Sequence, residues 1–308
     1  MELDIEQQTV VESDESMVVV APPGGGKTRV LTEKARRLFS AGKNIICLCF
    51  TRSAAREMQS RVSGLPACTI HSYCCGAIGW KIPRGASQED GYPYLLQRFL
   101  WEQDGAKYDW VLVDECQDLN PMELDVALSL VGDKLFAVGD PFQSIYGFQG
   151  AVGPDVIRLL EKVGCRRVEL HNNYRSDWSV IEKLNGIFDR KLVSSGVKDT
   201  GLTAILCRKN DDLFEVSEYL KKVGVKHRVR LAASVAGARD REYDVLGESN
   251  LRLMTIHASK GTEYDRVLLY NWKPNERGEE ERVYYTACAR ASKQFIEVKN
   301  PIQLMKEI

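Results

Sequence analysis

The feature that most constrains this chain is the octapeptide Ala-Pro-Pro-Gly-Gly-Gly-Lys-Thr at residues 21–28. It follows the apolar run Met17–Val20 and precedes a stretch with the apolar periodicity of a helix. Glycines let backbone N–H groups approach phosphate oxygens, and a helix N-terminus adds the positive end of its dipole. The strict pattern begins with glycine, where this chain has Ala21. A glycine-rich turn that happens to end in Lys-Thr is the alternative, but the flanking pattern favours a phosphate-binding loop in an α/β domain.

The side chains of this loop predict a site for a nucleotide and Mg²⁺. Lys27 would reach the β- and γ-phosphates, and the Thr28 hydroxyl would bind the metal ion. The backbone of the glycines would surround the phosphate oxygens; these glycines are Gly24, Gly25 and Gly26.

A pair of acidic residues supplies the second half of such a site. Asp114 and Glu115 directly follow the apolar run 110–113. Asp114 can hold Mg²⁺ through water, and Glu115 can orient and activate an attacking water. Two acids after a strand are more often part of a solvated loop or a helix cap. With a phosphate-binding loop upstream, a catalytic role is the better interpretation.

Composition limits the other possibilities. A chain of 308 residues with 44% hydrophobic content has room for about two domains. No apolar run approaches the length of a membrane span, and the first residues do not resemble a secretory signal. Nine scattered cysteines without a repeated C-x-x-C spacing indicate neither a disulfide framework nor a zinc site. We therefore expect a cytoplasmic protein that is not bound to a membrane.

The rhythm of apolar runs predicts two α/β domains with parallel sheets, at residues 1–165 and 166–308. Strands are expected at 17–20, 45–50, 110–114, 135–139, 168–170, 203–207, 251–256 and 267–270. Helices are expected at 28–40, 54–62, 122–130, 180–188, 213–223 and 280–291. The polar segments 80–108 and 230–250 are expected to be loops or small inserts.

Eight segments, in order, resemble the motifs of the UvrD/Rep/PcrA group of superfamily 1 helicases. The most specific are DECQD at 114–118, VGDPFQSIYGFQGA at 138–151 and TIHASKGTEY at 255–264. The others lie at residues 3–11, 50–55, 69–72, 173–176 and 284–291. The resemblance runs from about residue 3 to residue 298 and implies two RecA-like domains.

The resemblance also implies roles in nucleotide chemistry. Gln7 would hydrogen-bond the adenine, Tyr174 would stack on it, and Glu263 would contact the ribose. Gln143 would sense the γ-phosphate and couple it to DNA contacts. Arg175 and Arg290 would reach the γ-phosphate from the second domain, where arginines can stabilise the charge of the transition state. An exposed helix arginine is the ordinary alternative for Arg290.

A path for single-stranded DNA is implied at six further positions: Phe50, Arg52, His71, Tyr146, Phe148 and His257. Aromatic side chains stack on bases, and polar groups contact phosphates. Core packing is the alternative for Phe50 and Tyr146, and a structural role is the alternative for the two histidines. Relatives usually carry Trp-Arg where this chain has Phe148-Gln149, so the polar contact at residue 149 is in doubt. Relatives commonly have Asn where this chain has Arg52, and the arginine could add a phosphate contact.

Large members of the group carry an accessory insert in each domain, and this sequence has no room for either. About thirty residues separate Gly76 from Tyr108, and a few core elements fill the interval from Ser176 to Leu251. The tripeptide Glu297-Val298-Lys299 has the look of a nuclease motif, but it falls on the expected last core strand, so we interpret it as structural.

The resemblance therefore predicts an ATP-dependent translocase or helicase that moves 3′ to 5′ on single-stranded DNA, with ATP and Mg²⁺ as cofactors and limited unwinding. Expected partners are single-stranded DNA, junctions with duplex DNA, and replication or repair proteins. The protein is expected to be a monomer or to self-associate weakly. A nucleotide-switched DNA-binding or loading factor with slow turnover is the alternative.

Overall fold

The computed structural model describes residues 2–80, 88–102, 107–231, 241–273 and 279–308. The chain divides into two compact units, Met1–His171 and Asn172–Ile308. Each unit is built around a six-stranded sheet with helices, so the predicted fold class is confirmed. None of the helices in the described part of the chain is long and apolar enough to cross a membrane.

The first unit contains a fully parallel sheet with the strand order β3-β2-β4-β5-β1-β6. Its central strands read as unbroken apolar runs because they are buried on both faces. The strands are β1 (Met17–Val20), β2 (Ile45–Cys49), β3 (Ala67–Thr69), β4 (Tyr108–Val113), β5 (Val131–Gly139) and β6 (Arg166–Glu169).

Helices cover both faces of this sheet. Alternate residues along a strand point to opposite faces, so Val18 and Val20 join one apolar core and Met17 and Val19 the other. The helices are α1 (Ile5–Glu12), α2 (Lys27–Ser40), α3 (Arg52–Arg61), α4 (Ile70–Ala77), α5 (Gln88–Glu102), α6 (Pro121–Ser129) and α7 (Asp155–Lys162).

Two expectations for this half of the chain need correction. Segment 80–108 was expected to be a loop or small insert, but its residues 88–102 form helix α5, whose Leu95, Leu96 and Phe99 belong to the core of the unit. Residues 81–87 and 103–106 of that segment lie outside the described residues. Strand β6 pairs in parallel with β1, so the chain leaves the first sheet after residue 165 rather than before it. The apolar pattern shows that a strand exists but not which sheet it joins.

The second unit has the strand order β11-β10-β12-β9-β13-β14 in its main sheet. All neighbouring pairs are parallel except the β10–β11 hairpin. Residues 230–231 and 241–245 of that hairpin fall in segment 230–250, which was expected to be a loop or small insert. The strands are β7 (Asn172–Asn173), β8 (Val193–Ser194), β9 (Thr203–Cys207), β10 (His227–Leu231), β11 (Arg241–Val245), β12 (Leu251–Thr255), β13 (Tyr264–Tyr270) and β14 (Ala291–Val298).

The helices of the second unit are α8 (Trp178–Phe188), α9 (Asn210–Lys222), α10 (Glu280–Cys288) and α11 (Pro301–Glu307). The predicted helix 280–291 therefore ends earlier, and residue 291 begins β14. Glu297 lies in β14, as expected for a structural tripeptide at 297–299.

A buried lysine connects α2 to the end of α1. The Lys34 Nζ atom donates to the Val11 carbonyl at 3.2 Å and to the Ser13 carbonyl, and lies 4.5 Å from the centre of the Trp110 ring. Burial lowers the pKa of Lys34 to about 8. In the unfolded chain the ammonium keeps its ordinary value of 10.5.

This difference predicts a pH dependence of stability. Between pH 8 and about 10.5 the unfolded state binds more protons than the folded state. The free energy of unfolding therefore increases with pH in this range, by up to about 1.4 kcal/mol per pH unit from Lys34. Below pH 8 the contribution is constant. Urea unfolding of the native protein and Lys34→Met across this range should give a difference that grows with pH. The exposed Lys162→Met variant serves as control, and equal slopes for Lys34→Met and the native protein would contradict the assignment.

Candidate active site

The phosphate-binding loop joins β1 to α2 in the first unit. The Ala21 N–H donates to the Gly139 carbonyl, and the Gly25 N–H donates to the Pro22 carbonyl at 3.0 Å, which closes a tight turn. Lys27 is the first residue of α2, and its Nζ atom lies 3.5 Å from the carbonyl oxygens of Ala21 and Pro22. The ammonium therefore lies over the loop, in a position to meet an anion held there.

Gln7 packs against this loop from α1. Its side chain is buried, and its Nε2 atom donates to the Gly25 carbonyl at 3.0 Å. Gly26 has φ +83°, a conformation in which any other residue would be strained, and a Cβ atom there would lie 2.7 Å from Gln7 Nε2 and displace that amide. The structure thus brings Gln7 to the nucleotide loop; its contact with adenine stays a prediction.

The two acids lie at the carboxyl end of β4. Asp114 is buried, and the Glu115 N–H donates to Asp114 Oδ1 at 3.0 Å. Burial and the neighbouring Glu115 charge raise the pKa of Asp114 well above its usual value, while Lys27 opposes the shift. Glu115 has φ +49°, a left-handed conformation that a non-glycine residue adopts at some energetic cost. Such strain is common at functional sites.

These groups fit a magnesium ion. Mg²⁺ in nucleotide sites takes one or two protein oxygens and completes its shell with phosphates and water. Asp114 offers a carboxylate whose negative charge is only partly compensated, and Thr28, the second residue of α2, offers a hydroxyl. A bound ion would supply the missing positive charge.

A hydrogen-bonded path leads from Glu115 to Gln143. The Gln117 amide donates to Glu115 Oε2 at 2.7 Å, and its oxygen accepts the Asp140 N–H at 2.9 Å. The Asp140 carboxylate then accepts from Gln143 Nε2 at 2.8 Å. Gln117 and Asp140 lie within the motif-like segments 114–118 and 138–151, but the resemblance assigned them no role. Their polar character beside the predicted site residues was the available signal.

An aromatic cluster follows Gln143 along the chain. The ring centres of Phe50 and Tyr146 are 5.5 Å apart, and those of Tyr146 and Phe148 are 6.1 Å apart. Phe50 and Tyr146 are partly buried, whereas 56% of Phe148 is exposed. The three predicted stacking residues are therefore neighbours, and only Phe148 presents most of its surface to solvent.

Because Phe148 is exposed, its loss should affect DNA binding rather than folding. If it stacks on a base, Phe148→Ala should weaken single-strand binding by about 1–3 kcal/mol. Its melting temperature should stay close to that of the native protein. Phe214→Ala, which removes an exposed phenylalanine from α9, is the control. Fluorescence titration with labelled oligonucleotide measures binding, and unchanged affinity in Phe148→Ala would refute the stacking role.

Two further predicted DNA residues, Arg52 and His71, belong to this unit. Arg52 is exposed at the first position of α3. The His71 ring packs on Tyr92 with the ring centres 4.1 Å apart, and its Nδ1 atom is 3.6 Å from Glu123 Oε1. Burial lowers the pKa of His71 to about 4, so the ring is neutral near pH 7. One face of His71 is thus already covered by protein, which favours the structural alternative for this residue.

The second unit gathers three of its predicted site residues. Arg175 Nη2 pairs with Glu263, and Arg175 Nη1 donates to the Ala289 carbonyl at 3.1 Å. Arg290 donates through Nη1 to the Thr262 carbonyl at 3.3 Å. Burial alone would raise the pKa of Glu263, but Arg175 and Lys198 hold it below its usual value.

Arg290 is buried, with 3% of its surface exposed, which excludes the alternative of an exposed helix arginine. Tyr174 directly precedes Arg175 in the chain, and His257 begins a short 3₁₀ helix after β12. Lys198, whose ammonium pairs with Glu263, was missed by sequence reasoning because it lies outside every recognisable motif.

Two models of known protein families match this chain. A family model described as an AAA domain matches residues 6–149, and the UvrD-like helicase C-terminal domain matches residues 232–298. The chain belongs to superfamily 1 of the helicases. The first matched segment is an ATP-binding P-loop domain, and the second, later in the chain, is a UvrD-like domain.

Several helicases resemble parts of this superfamily 1 chain. DNA helicase II of Salmonella typhimurium is 33% identical over 129 residues, which are 39% of this chain and 17% of that protein. A Mycoplasma pneumoniae protein described as "Probable DNA helicase" is 27% identical over 246 residues, covering 67% of this chain and 45% of that protein. The chain thus spans less than half the length of either relative.

Solved helicase structures share the fold over the whole chain. The Pif1 helicase of Candida albicans has a TM-score of 0.60 at 14% identity and covers 100% of this chain and 99% of that one. A Bacteroides Pif1 helicase, solved with ADP-AlF3 and single-stranded DNA, has a TM-score of 0.54 at 16% identity and covers 98% and 94%. At these identities the likeness concerns the fold alone.

Proposed function

We propose that this chain is an ATP-driven translocase on single-stranded DNA that moves 3′ to 5′ and unwinds duplexes only weakly. The observation that carries the proposal is the hydrogen-bonded path from Glu115 through Gln117 and Asp140 to Gln143. The aromatic residues Tyr146 and Phe148 follow within five positions of Gln143. A movement of Glu115 can thus pass along these hydrogen bonds to Gln143 and to aromatic residues that are suited to stacking on bases.

Each residue then has a task in the reaction. The loop backbone and Lys27 hold the β- and γ-phosphates of ATP, and Thr28 and Asp114 hold Mg²⁺, which neutralises charge on the phosphates. Glu115 takes a proton from the attacking water as the water oxygen bonds to the γ-phosphorus. The bond from that phosphorus to the oxygen bridging the β- and γ-phosphates breaks, and ADP leaves. Gln143 senses whether the γ-phosphate is present.

The second unit supplies most of the remaining groups of the proposal. Arg175 and Arg290 stabilise negative charge on the transferred phosphoryl group, and Glu263 binds the ribose. Tyr174 binds the adenine together with Gln7 of the first unit. Arg175 is paired with Glu263, and in this proposal it exchanges this partner for phosphate when it acts on the nucleotide. Alternation between these two partners would tie hydrolysis to movement.

The proposal is tested by the ATPase rate with and without single-stranded DNA. A translocase should be strongly stimulated, whereas a nucleotide-switched binding or loading factor should bind DNA in a nucleotide-dependent way with negligible turnover. Release of a fluorophore or bound protein from the 5′ rather than the 3′ end of a strand reports 3′-to-5′ movement. Movement towards the 3′ end would overturn the proposed direction.

Weak unwinding follows from the small number of elements between the core motifs. In the described part of segment 78–107, α5 is the only added element, and it packs into the core of the first unit. Opening each base-pair step costs about 1.4 kcal/mol on average, so a motor whose inserts do not hold the duplex is readily stalled by reannealing. We expect translocation on single strands but little product from a long tailed duplex under single-turnover conditions. Processive unwinding by the monomer would contradict this part of the proposal.

A further inference from the structure

Helix α1 carries two neighbouring side chains that contact distant parts of the first unit. Gln7 donates to the Gly25 carbonyl of the phosphate loop. Glu6 accepts the backbone N–H of His171 through Oε2 at 2.9 Å, and its Oε1 atom lies 3.1 Å from His171 Nδ1. One helix therefore contacts both the nucleotide loop and His171, which lies 165 positions after Glu6.

His171 is where the chain leaves the first unit. The preceding residue, Leu170, donates its N–H to the Val20 carbonyl and makes the last ladder bond along β1. Glu6 binds the next N–H, beyond the sheet. The second unit begins at Asn172, and the predicted nucleotide residues Tyr174 and Arg175 follow at once. The carboxylate thus fixes the direction in which this segment departs.

We propose that Glu6 is a positioning residue for the ATPase reaction. It holds His171, the last residue of the first unit, and so fixes the start of the segment that leads to Tyr174 and Arg175. This inference rests on the proposed function, because it assumes that Arg175 acts on the bound nucleotide. Misplacing such a group by a small distance lowers the rate of the chemical step far more than it lowers ground-state binding.

The Glu6–His171 pair suits a positioning role better than a role in global stability. The side chains of Glu6 and His171 are 39% and 42% exposed, and exposed ion pairs contribute little to folding. Variants at these positions should therefore fold normally, so their kinetics can be interpreted directly.

Glu6→Ala should lower kcat of DNA-stimulated hydrolysis by roughly fivefold or more, with the dissociation constant for a fluorescent ATP analogue changed by less than about twofold. Glu6→Gln should behave like the native protein, because its amide oxygen still accepts the His171 N–H. Glu12→Ala, which removes the same charge from the other end of α1 where Glu12 accepts from Gln8, is the matched control and should have no effect. Adding His171→Ala to Glu6→Ala should cause little further loss, because both act through one contact.

Hydrogen exchange of the peptide covering residues 168–176 provides the independent readout. Faster exchange together with a lower kcat in Glu6→Ala supports the proposal. Faster exchange with unchanged kcat would show a contact that is only structural, and unchanged exchange would show that the contact does not persist in solution; either result overturns the proposal. If the native protein itself lacks DNA-stimulated hydrolysis, the proposed function has failed instead.

Discussion

Glu115→Gln should stop ATP hydrolysis while leaving ATP binding nearly intact. The amide keeps the size of the side chain but cannot take a proton from water, and loss of a general base costs about 10²–10⁴-fold in rate. Lys27→Ala should instead impair binding and turnover together, because the phosphate charges lose the ammonium that lies over the loop. The two variants therefore separate the chemical step from phosphate binding.

Steady-state ATPase assays and titration with a fluorescent ATP analogue measure the two effects. Asp125→Asn, which replaces an exposed acid of α6 by its amide, is the control for Glu115→Gln and should hydrolyse ATP normally. Near-native turnover in either Lys27→Ala or Glu115→Gln would overturn the assignment of the site in the first unit.

Loss of the Arg290 guanidinium should lower DNA-stimulated hydrolysis by about 10³–10⁵-fold, the range found for arginines that stabilise phosphoryl transfer. DNA binding without nucleotide should change little. Because Arg290 is buried and donates to the carbonyls of Thr262 and Thr286, Arg290→Ala also leaves buried acceptors unpaired, at about 1–3 kcal/mol each.

The informative variant is therefore Arg290→Lys, which keeps the charge and most of the volume but loses the planar fork of donors. Arg252→Lys, which alters a partly buried strand arginine that also donates to a carbonyl, is the matched control. A loss smaller than about threefold in a folded Arg290→Lys protein would assign Arg290 a purely structural role, since typical arginine contributions are far larger.

Much of the site was predictable because its signals are local. The glycines, Lys27 and Thr28 occupy consecutive positions, and Asp114 and Glu115 directly follow an apolar run. Backbone geometry then requires each group to lie at the carboxyl end of a parallel strand. The predicted grouping of Phe50 with Tyr146 and Phe148 is also present, although only the ordered motifs linked residues so far apart in the chain.

The sequence by itself determined the phosphate loop and the two acids of the site, because each depends on residue types within a few positions. It also determined the fold class, which follows from the alternation of apolar runs and helical patterns along the chain. Tertiary structure alone decided that β6 joins the first sheet, that Gln117 reaches Asp140 and that Glu6 binds His171. It also decided that His71 faces Tyr92 and that Arg290 is buried. Periodicity records which face of an element is apolar, but the partner of each face is chosen by packing and hydrogen bonding between residues distant in sequence.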